Sequence, residues 1–362
     1  MEANTFIKKY KNMRNFKNLA LFVGFLMCQI LFSQEKEQPK TPPTMNKKFS
    51  IAIHGGAGNM AKKNLTPEKE AEYKAKLQEA LQKGSDMLAN GSEAVDVVEA
   101  VIKILEDSPL FNAGKGSVFT HDGKNEMDAA IMNGKTLDAG AVANVRTIKN
   151  PISAAKAILN KSKFIFLSGV GAEKFAKEMD IEIVDTSYFF YQPRWDEFIK
   201  VRDSKNTKLD HDNSSGMNEP MNSSVDKFGT VGCVVMDRYG NLAAGTSTGG
   251  IVNKNYDRIG DSPVIGAGTY ANNKTCAVSC TGHGEDFIRI VAAHDVSSIM
   301  EYRKVKLKTA VSRVIKKLTD IKGRGGMIAV DHKGNITMQF NTNGMFRGSA
   351  DEKGIIDVAI YK

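Results

Sequence analysis

The chain is 362 residues long, 41% hydrophobic, 25% charged and 8% aromatic, a balance that suits a globular protein and excludes fibrous, low-complexity and wholly disordered classes. Its formal net charge of +9 invites a nucleic-acid reading. Yet Lys8, Lys9, Lys11, Arg14 and Lys17 against Glu2 place +4 of that in the first 33 residues, leaving +5, and no basic cluster with interleaved aromatics follows. Nucleic acid is therefore set aside as a partner.

The basic start runs into an apolar stretch of 14 residues, Leu19 to Phe32, then Ser33, Gln34 and a polar, Pro-containing segment to Thr44. This is the pattern of an export signal, residues 1–33, removed near Ser33. The apolar run is shorter than the roughly 20 residues a spanning helix needs, so no stable membrane anchor is expected. Export would place the mature protein in the periplasm or outside the cell. Cys28 lacks a small residue before it, so lipid attachment is not expected. Cys233, Cys276 and Cys280 remain, an odd number without metal-ligand spacing, and read as buried small hydrophobes.

Phe49 to Ile53 predicts a buried strand that delivers a Gly-rich loop, His54-Gly55-Gly56-Ala57-Gly58. Thr66-Pro67-Glu68 starts a helix that reaches Leu88. Asn90-Gly91-Ser92 stops it and caps a second helix, on which Ala94, Val95, Val98, Val101, Ile102 and Leu105 share a core face. Phe164 to Leu167 predicts another buried strand, followed by Ser168-Gly169-Val170-Gly171 and a helix over Ala172 to Met179. This glycine pattern lacks the third glycine and the downstream acid of a dinucleotide site, so it is read as a plain strand-to-helix connection.

Between Lys205 and Lys227 the chain turns polar and Asn- and Ser-rich, which predicts an exposed linker. Beyond it, Thr230 to Met236, the turn Asp237-Arg238-Tyr239-Gly240-Asn241, and Leu242 to Thr248 form a hairpin. Met327 to Val330, Asp331 to Asn335 and Ile336 to Phe340 repeat the device. With helices over Asp286 to Tyr302 and Val305 to Leu318, the class is α+β.

The first hairpin carries the chemistry. With Gly240 left-handed in a three-residue loop, opposed residue numbers add to 478, and Thr230 faces Thr248 at the open end. A threonine hydroxyl is a poor nucleophile without a base. Cleavage between Gly229 and Thr230 would free an α-amino group, reference pKa roughly 7.7–8.0, on the same residue as the hydroxyl. Gly229, without a Cβ, would permit the strained backbone such a self-cleavage needs.

Several blocks, in order, resemble the plant-type asparaginase and isoaspartyl peptidase family of N-terminal nucleophile hydrolases. They are His54 to Gly58, Phe111-Asn112-Ala113-Gly114-Lys115-Gly116, Met127 to Ala130, Ala139 to Val142, Gly229 to Gly232, Gly245 to Gly250, Arg258 to Pro263, Gly266 to Ala271, Ser279 to Glu285 and Phe340 to Met345. The resemblance implies a four-layer αββα sandwich with two central, mainly antiparallel sheets. It implies self-cleavage into an α-chain, 34–229 including the linker 205–227, and a β-chain, 230–362, arranged as an (αβ)₂ dimer.

The same resemblance gives Thr230 as nucleophile, Thr248 as the group orienting it, and Thr281 with the backbone N–H of Gly282 as the oxyanion hole. Arg258 would clamp the substrate α-carboxylate, Asp261 its α-ammonium, and Asn112 would hold substrate or water. A structural sodium would sit among backbone oxygens of Leu105, Glu106, Phe111, Ala113 and Lys115, with no cofactor in catalysis. His54 and His283 are read as packing or backbone-bonded residues. The implied activity is hydrolysis of L-asparagine and of N-terminal isoaspartyl dipeptides through an acyl-enzyme. The alternatives are a glycosylasparaginase, a taspase-like threonine endopeptidase, or an unprocessed amino-acid-binding module.

Overall fold

The computed structural model describes residues 48–58, 60, 65–203 and 229–362. The expected export signal and the linker 205–227 lie outside the described residues. Among those described, the elements run β1 (Ser50–Gly58), α1 (Pro67–Ala89), α2 (Ala94–Glu106), β2 (Met127–Asn133), β3 (Ala139–Val145), α3 (Pro151–Lys161), β4 (Phe166–Ser168), α4 (Gly169–Glu178) and α5 (Gln192–Asp203). After the linker come β5 (Val231–Met236), β6 (Leu242–Thr248), β7 (Thr269–Ala271), β8 (Cys276–Gly282), α6 (Gly284–Ile290), α7 (Ala292–Arg303) and α8 (Leu307–Asp320). The C-terminal strands are β9 (Gly325–Asp331), β10 (Ile336–Phe340), β11 (Gly344–Asp351) and β12 (Ile356–Tyr361).

Eight strands form one sheet in the order β12-β11-β1-β5-β6-β2-β3-β4, antiparallel except where β3 meets β4, and β10-β9-β8-β7 form a smaller antiparallel sheet. The central strands β1, β5 and β6 are buried along their whole length, on both faces. Alternation sends Ile51 and Ile53 of β1 and Val231 and Val235 of β5 to a cluster with Leu77, Val98, Val101 and Ile152 of α1, α2 and α3. The intervening residues Ala52 and Val234 join Ala244, Ala277, Ile328 and Val330 in a cluster drawn from both sheets. A third cluster packs Val296, Val311, Val314 and Leu318 of α7 and α8 on Val278, Cys280 and Met327. Each such large side chain contributes ~1.5–3 kcal/mol by burial. The architecture is α+β, as expected.

Four local expectations are corrected. The Gly-rich loop after Ile53 is strand: β1 continues to Gly58 across a bulge between His54 and Gly56, because β11 pairs with it throughout. The segment Asn90 to Ser92 ends α1 but does not cap α2, whose first N–H, on Ala94, donates to Asp237 Oδ2 at 3.0 Å. The strand near Phe164 is an exposed sheet edge, with Phe164, Ile165 and Phe166 all in solvent. The helix over Asp286 to Tyr302 is broken at Val291, which is left-handed at φ 50°. There the N–H groups of Ala293 and His294 turn to the carbonyls of Ala267 and Gly266.

The three remaining cysteines are free and buried, as expected. Among the described residues no helix is long and apolar enough to cross a membrane.

Candidate active site

The β5–β6 turn sets the site. Asp237 is fully buried, and its Oδ1 accepts the N–H groups of Tyr239 and Asn241 at 2.9 and 2.8 Å while Oδ2 takes that of Ala94. Gly240 is left-handed at φ 77°. The turn therefore closes in the expected register, from Met236 opposite Leu242 to Val231 opposite Ser247. One step further, the hydroxyls of Thr230 and Thr248 lie 3.0 Å apart. Thr248 Oγ1 also accepts the Gly250 N–H at 3.1 Å.

The hydroxyl pair opens onto a small cavity, lined by Asn112, Gly229, Thr230, Thr248, Gly250, Ile251, Arg258, Gly260, Asp261, Ser262, Gly282 and Gly284. Seven of the expected site residues thus line one cavity. Thr281 lies next to Gly282, its hydroxyl accepting the Ala57 N–H at 3.3 Å, which leaves its own hydrogen to donate. Asn112 is pinned: its Oδ1 accepts the Val118 N–H at 3.0 Å and its Nδ2 donates to the Gly250 carbonyl at 2.7 Å. A Cβ on Gly229 would lie 2.3 Å from the Asn112 nitrogen, so the residue before Thr230 has room for glycine alone.

His54 is fully buried, and burial pulls its pKa down to about 3 against the opposing hydrogen bond to Thr230. The ring is neutral. Its partner at Nδ1 is the Thr230 carbonyl at 2.9 Å, which only accepts, so Nδ1 carries the hydrogen and Nε2 accepts from Ser279 Oγ at 2.9 Å. Behind Ser279 stand Thr246, at 2.7 Å, and Thr269, 2.6 Å from Thr246. The chain of hydroxyls holds the backbone of Thr230 in place, and His54 is not a proton acceptor for its hydroxyl.

Burial drives the Asp261 carboxyl up to about 7, against the positive charge of Arg258, and its buried Oδ2 has no hydrogen-bond partner. A buried carboxylate oxygen in that state is stabilised by a ligand cation. Arg258 is raised: burial opposes its charge, but the hydrogen bonds and charge of Glu285 outweigh it. The pair is bidentate, Nε to Oε1 at 2.8 Å and Nη2 to Oε2 at 2.7 Å. Sequence reasoning missed Glu285, although it closes the block that begins at Ser279; a carboxylate 27 positions from its arginine gives no local signal.

In the turn from Leu105 to Lys115, the Glu106 carbonyl crowds Gly114 and those of Pro109 and Phe111 crowd Gly116. Cβ atoms at 114 and 116 would approach them to 2.4 and 2.1 Å. The carbonyls of Leu105, Phe111 and Ala113 accept N–H groups from Ser108, Ala113 and Gly116 at 2.9–3.3 Å, each keeping a second lone pair.

Taken together, a threonine hydroxyl at a strand start, a second hydroxyl beside it and an Arg/Asp pair line one small cavity. The pattern of the family described as Asparaginase matches residues 47–360. The isoaspartyl peptidase of Salmonella typhimurium is 45% identical over 304 residues, 84% of this chain and 95% of that protein. The isoaspartyl peptidase of Escherichia coli is 45% identical over 301 residues, 83% and 92% of the two chains. An isoaspartyl peptidase/L-asparaginase of Danio rerio is 37% identical over 303 residues, 83% and 92%. The chain belongs to the asparaginase and isoaspartyl peptidase family of N-terminal nucleophile hydrolases.

Proposed function

We propose that this protein cuts itself between Gly229 and Thr230 and then hydrolyses L-asparagine to L-aspartate and ammonia, and N-terminal isoaspartyl dipeptides to aspartate and the free amino acid. The observation that carries the reading is the 3.0 Å contact of the Thr230 and Thr248 hydroxyls on a cavity shared with Arg258 and Asp261. Arg258 grips the substrate α-carboxylate and the partnerless Asp261 oxygen its α-ammonium, which aims the side-chain carbonyl at Thr230. The freed α-amine takes the hydroxyl proton as Oγ1 attacks that carbonyl carbon. The oxyanion accepts hydrogen bonds from the Thr281 hydroxyl and the Gly282 N–H. Collapse breaks the C–N bond, the ammonium returns its proton to the leaving ammonia or peptide amine, and water then hydrolyses the ester by the same base.

The two helix-backed sheets with a shared cluster between them support a four-layer αββα sandwich, and membership of the family supports processing to an α-chain and a β-chain paired as (αβ)₂. The basic start and apolar run support export. The Leu105–Lys115 turn fits a sodium ion, since its crowded donors are neutral carbonyl oxygens, the ligands a hard cation takes. Bound there, sodium would offset the carbonyl dipoles of the turn; it enters no chemical step.

Intact-mass analysis tests the reading. Two fragments dividing at Gly229, together with ammonia release from asparagine, are expected, and Thr230→Ala stays one chain without turnover. Full activity in an uncut chain, or normal turnover by Thr230→Ala, refutes it.

A further inference from the structure

The Arg258 guanidinium lies in a slot between two glycines. A Cβ on Gly260 would sit 3.0 Å from Nη1, and one on Gly284 would sit 2.9 Å from Nη2. Neither glycine offers a polar side chain to fix the group's rotation, and Glu285, the residue after Gly284, holds it through the Nε and Nη2 edge. The Arg258 side chain is 16% exposed and that of Glu285 40%, so the pair is half-shielded from water. Next to the pair, His283 Nδ1 lies 3.1 Å from Asp286 Oδ2, and its Nε2 comes within 3.2 Å of Glu285 Oε2 without hydrogen-bonding it. Partial burial favours the neutral acid at Glu285, but the hydrogen bonds and charge of Arg258 hold it down to about 2. With Nε and one Nη2 hydrogen spoken for, the Nη1 side of the fork is what the guanidinium offers a ligand.

We infer that Glu285 is a positioning residue for substrate recognition: it locks the Arg258 guanidinium in the slot between Gly260 and Gly284 so that its Nη1 edge meets the substrate α-carboxylate. The inference rests on the assignment of Arg258 to that carboxylate. A carboxylate competing for Arg258 would weaken substrate binding, but Glu285 takes the opposite edge of the fork. Its removal frees a long side chain to rotate away and takes off the charge that anchors it. Its effect is confined to substrates that carry an α-carboxylate, and the attacking hydroxyl does not depend on it.

Self-processed wild-type protein, Glu285→Ala, Glu285→Gln and Arg258→Ala are compared on L-asparagine and on β-alaninamide, which keeps the amine and the amide but lacks the α-carboxylate. Glu285→Ala is expected to raise KM for asparagine roughly tenfold, the loss of charge-assisted hydrogen bonds, with kcat within about twofold. Glu285→Gln, which keeps one acceptor oxygen, is expected to fall between. Both variants self-cleave at the wild-type rate, and kcat/KM for β-alaninamide is unchanged. Equal losses on the two substrates, an unchanged or lower KM for asparagine in Glu285→Ala, or failure of both variants to self-cleave each overturn the inference. If Arg258→Ala leaves asparagine KM untouched, the premise itself falls, and this outcome is distinct from failure of Glu285 alone.

Discussion

Replacing Thr248 by valine keeps the shape of the side chain and deletes one hydroxyl, so its consequence can be worked from two contacts. Before attack, either hydroxyl of the Thr230–Thr248 pair can donate across the 3.0 Å gap. Once the Thr230 proton has moved to the α-amine, Thr248 is the member of the pair still holding a hydrogen, and it faces the negative charge developing on Thr230 Oγ1. A hydrogen bond to a charged group is worth ~1.5–3 kcal/mol, which at ~1.36 kcal/mol per decade is roughly 10- to 150-fold in rate. The Gly250 N–H, now 3.1 Å from Thr248 Oγ1, also loses its acceptor, at a stability cost of ~1–3 kcal/mol. The expected outcome is a kcat lower by that factor with KM little changed, because the hydroxyl touches nucleophile rather than substrate. Thr248→Ser should recover to within about threefold. Ammonia release is measured per processed chain, the processed fraction coming from intact mass, so that slower self-cleavage is not mistaken for slower turnover. A fully processed valine variant with kcat within twofold of wild type would refute the argument that Thr248 stabilises the nucleophile.

Gly229→Ala puts a methyl group 2.3 Å from the Asn112 nitrogen; relief requires a shift of about 1 Å at the scissile bond. A displacement of that size costs on the order of 100-fold, so a time course on denaturing gels should show self-cleavage slowed at least that much. Asp261 must be ionised to hold a substrate ammonium, and burial raises its free-enzyme pKa to about 7. Activity therefore falls as pH drops through 7, and the α-amine, which must be neutral, adds a second deprotonation near its reference value of roughly 8. The acid limb of kcat/KM should approach a slope of two in wild type and lose one unit in Asp261→Asn; an unchanged slope would dismiss Asp261. Asp237→Ala strips the acceptor from Tyr239, Asn241 and Ala94 at once, and denaturant unfolding should show a loss of about 3 kcal/mol or more.

The hairpin was legible because its determinants are local. An acidic residue that binds the N–H groups two and four positions on, and a glycine free to be left-handed, set the register, and Thr230 and Thr248 follow by alternation. The same logic recurs at Asp331, whose Oδ1 accepts from Lys333 and Asn335 at 2.9 Å, with Gly334 left-handed. What stayed hidden depends on contacts remote in sequence. The cap of α2 comes from Asp237, 143 positions away. Val291 is left-handed because the next turn docks on Gly266 and Ala267, and no glycine or proline announces the break. The β4 segment is as apolar as a core strand, but among the described residues it lies at the edge of the sheet with β3 alone as its partner. Glu285 and His54 were likewise visible as residue types, while their roles depend on which edge of Arg258 and which atom of Thr230 they meet.

Those remote contacts also narrow the choice of base. His54 has both ring nitrogens committed and is held neutral at about 3, so it has no vacant nitrogen to turn toward the Thr230 hydroxyl. Asp128 stands opposite Thr248 in the sheet, but burial raises its pKa and its Oδ1 accepts the Asn144 N–H at 2.9 Å. Lys254, its side chain 1% exposed, donates to the carbonyls of Glu126 and Arg258. Glu106 is pushed up to about 8 by burial, despite opposing hydrogen bonds such as that from Ser247, 2.6 Å from its Oε1. Among the described residues the hydroxyl of Thr230 is bonded to another hydroxyl, with no imidazole, carboxylate or ammonium against it. A hydroxyl so placed has no side-chain base to serve repeated turnover of substrate. The α-amine that cleavage after Gly229 would release is carried by the nucleophile's own Cα, so no further movement of the surrounding side chains is needed to bring it into reach.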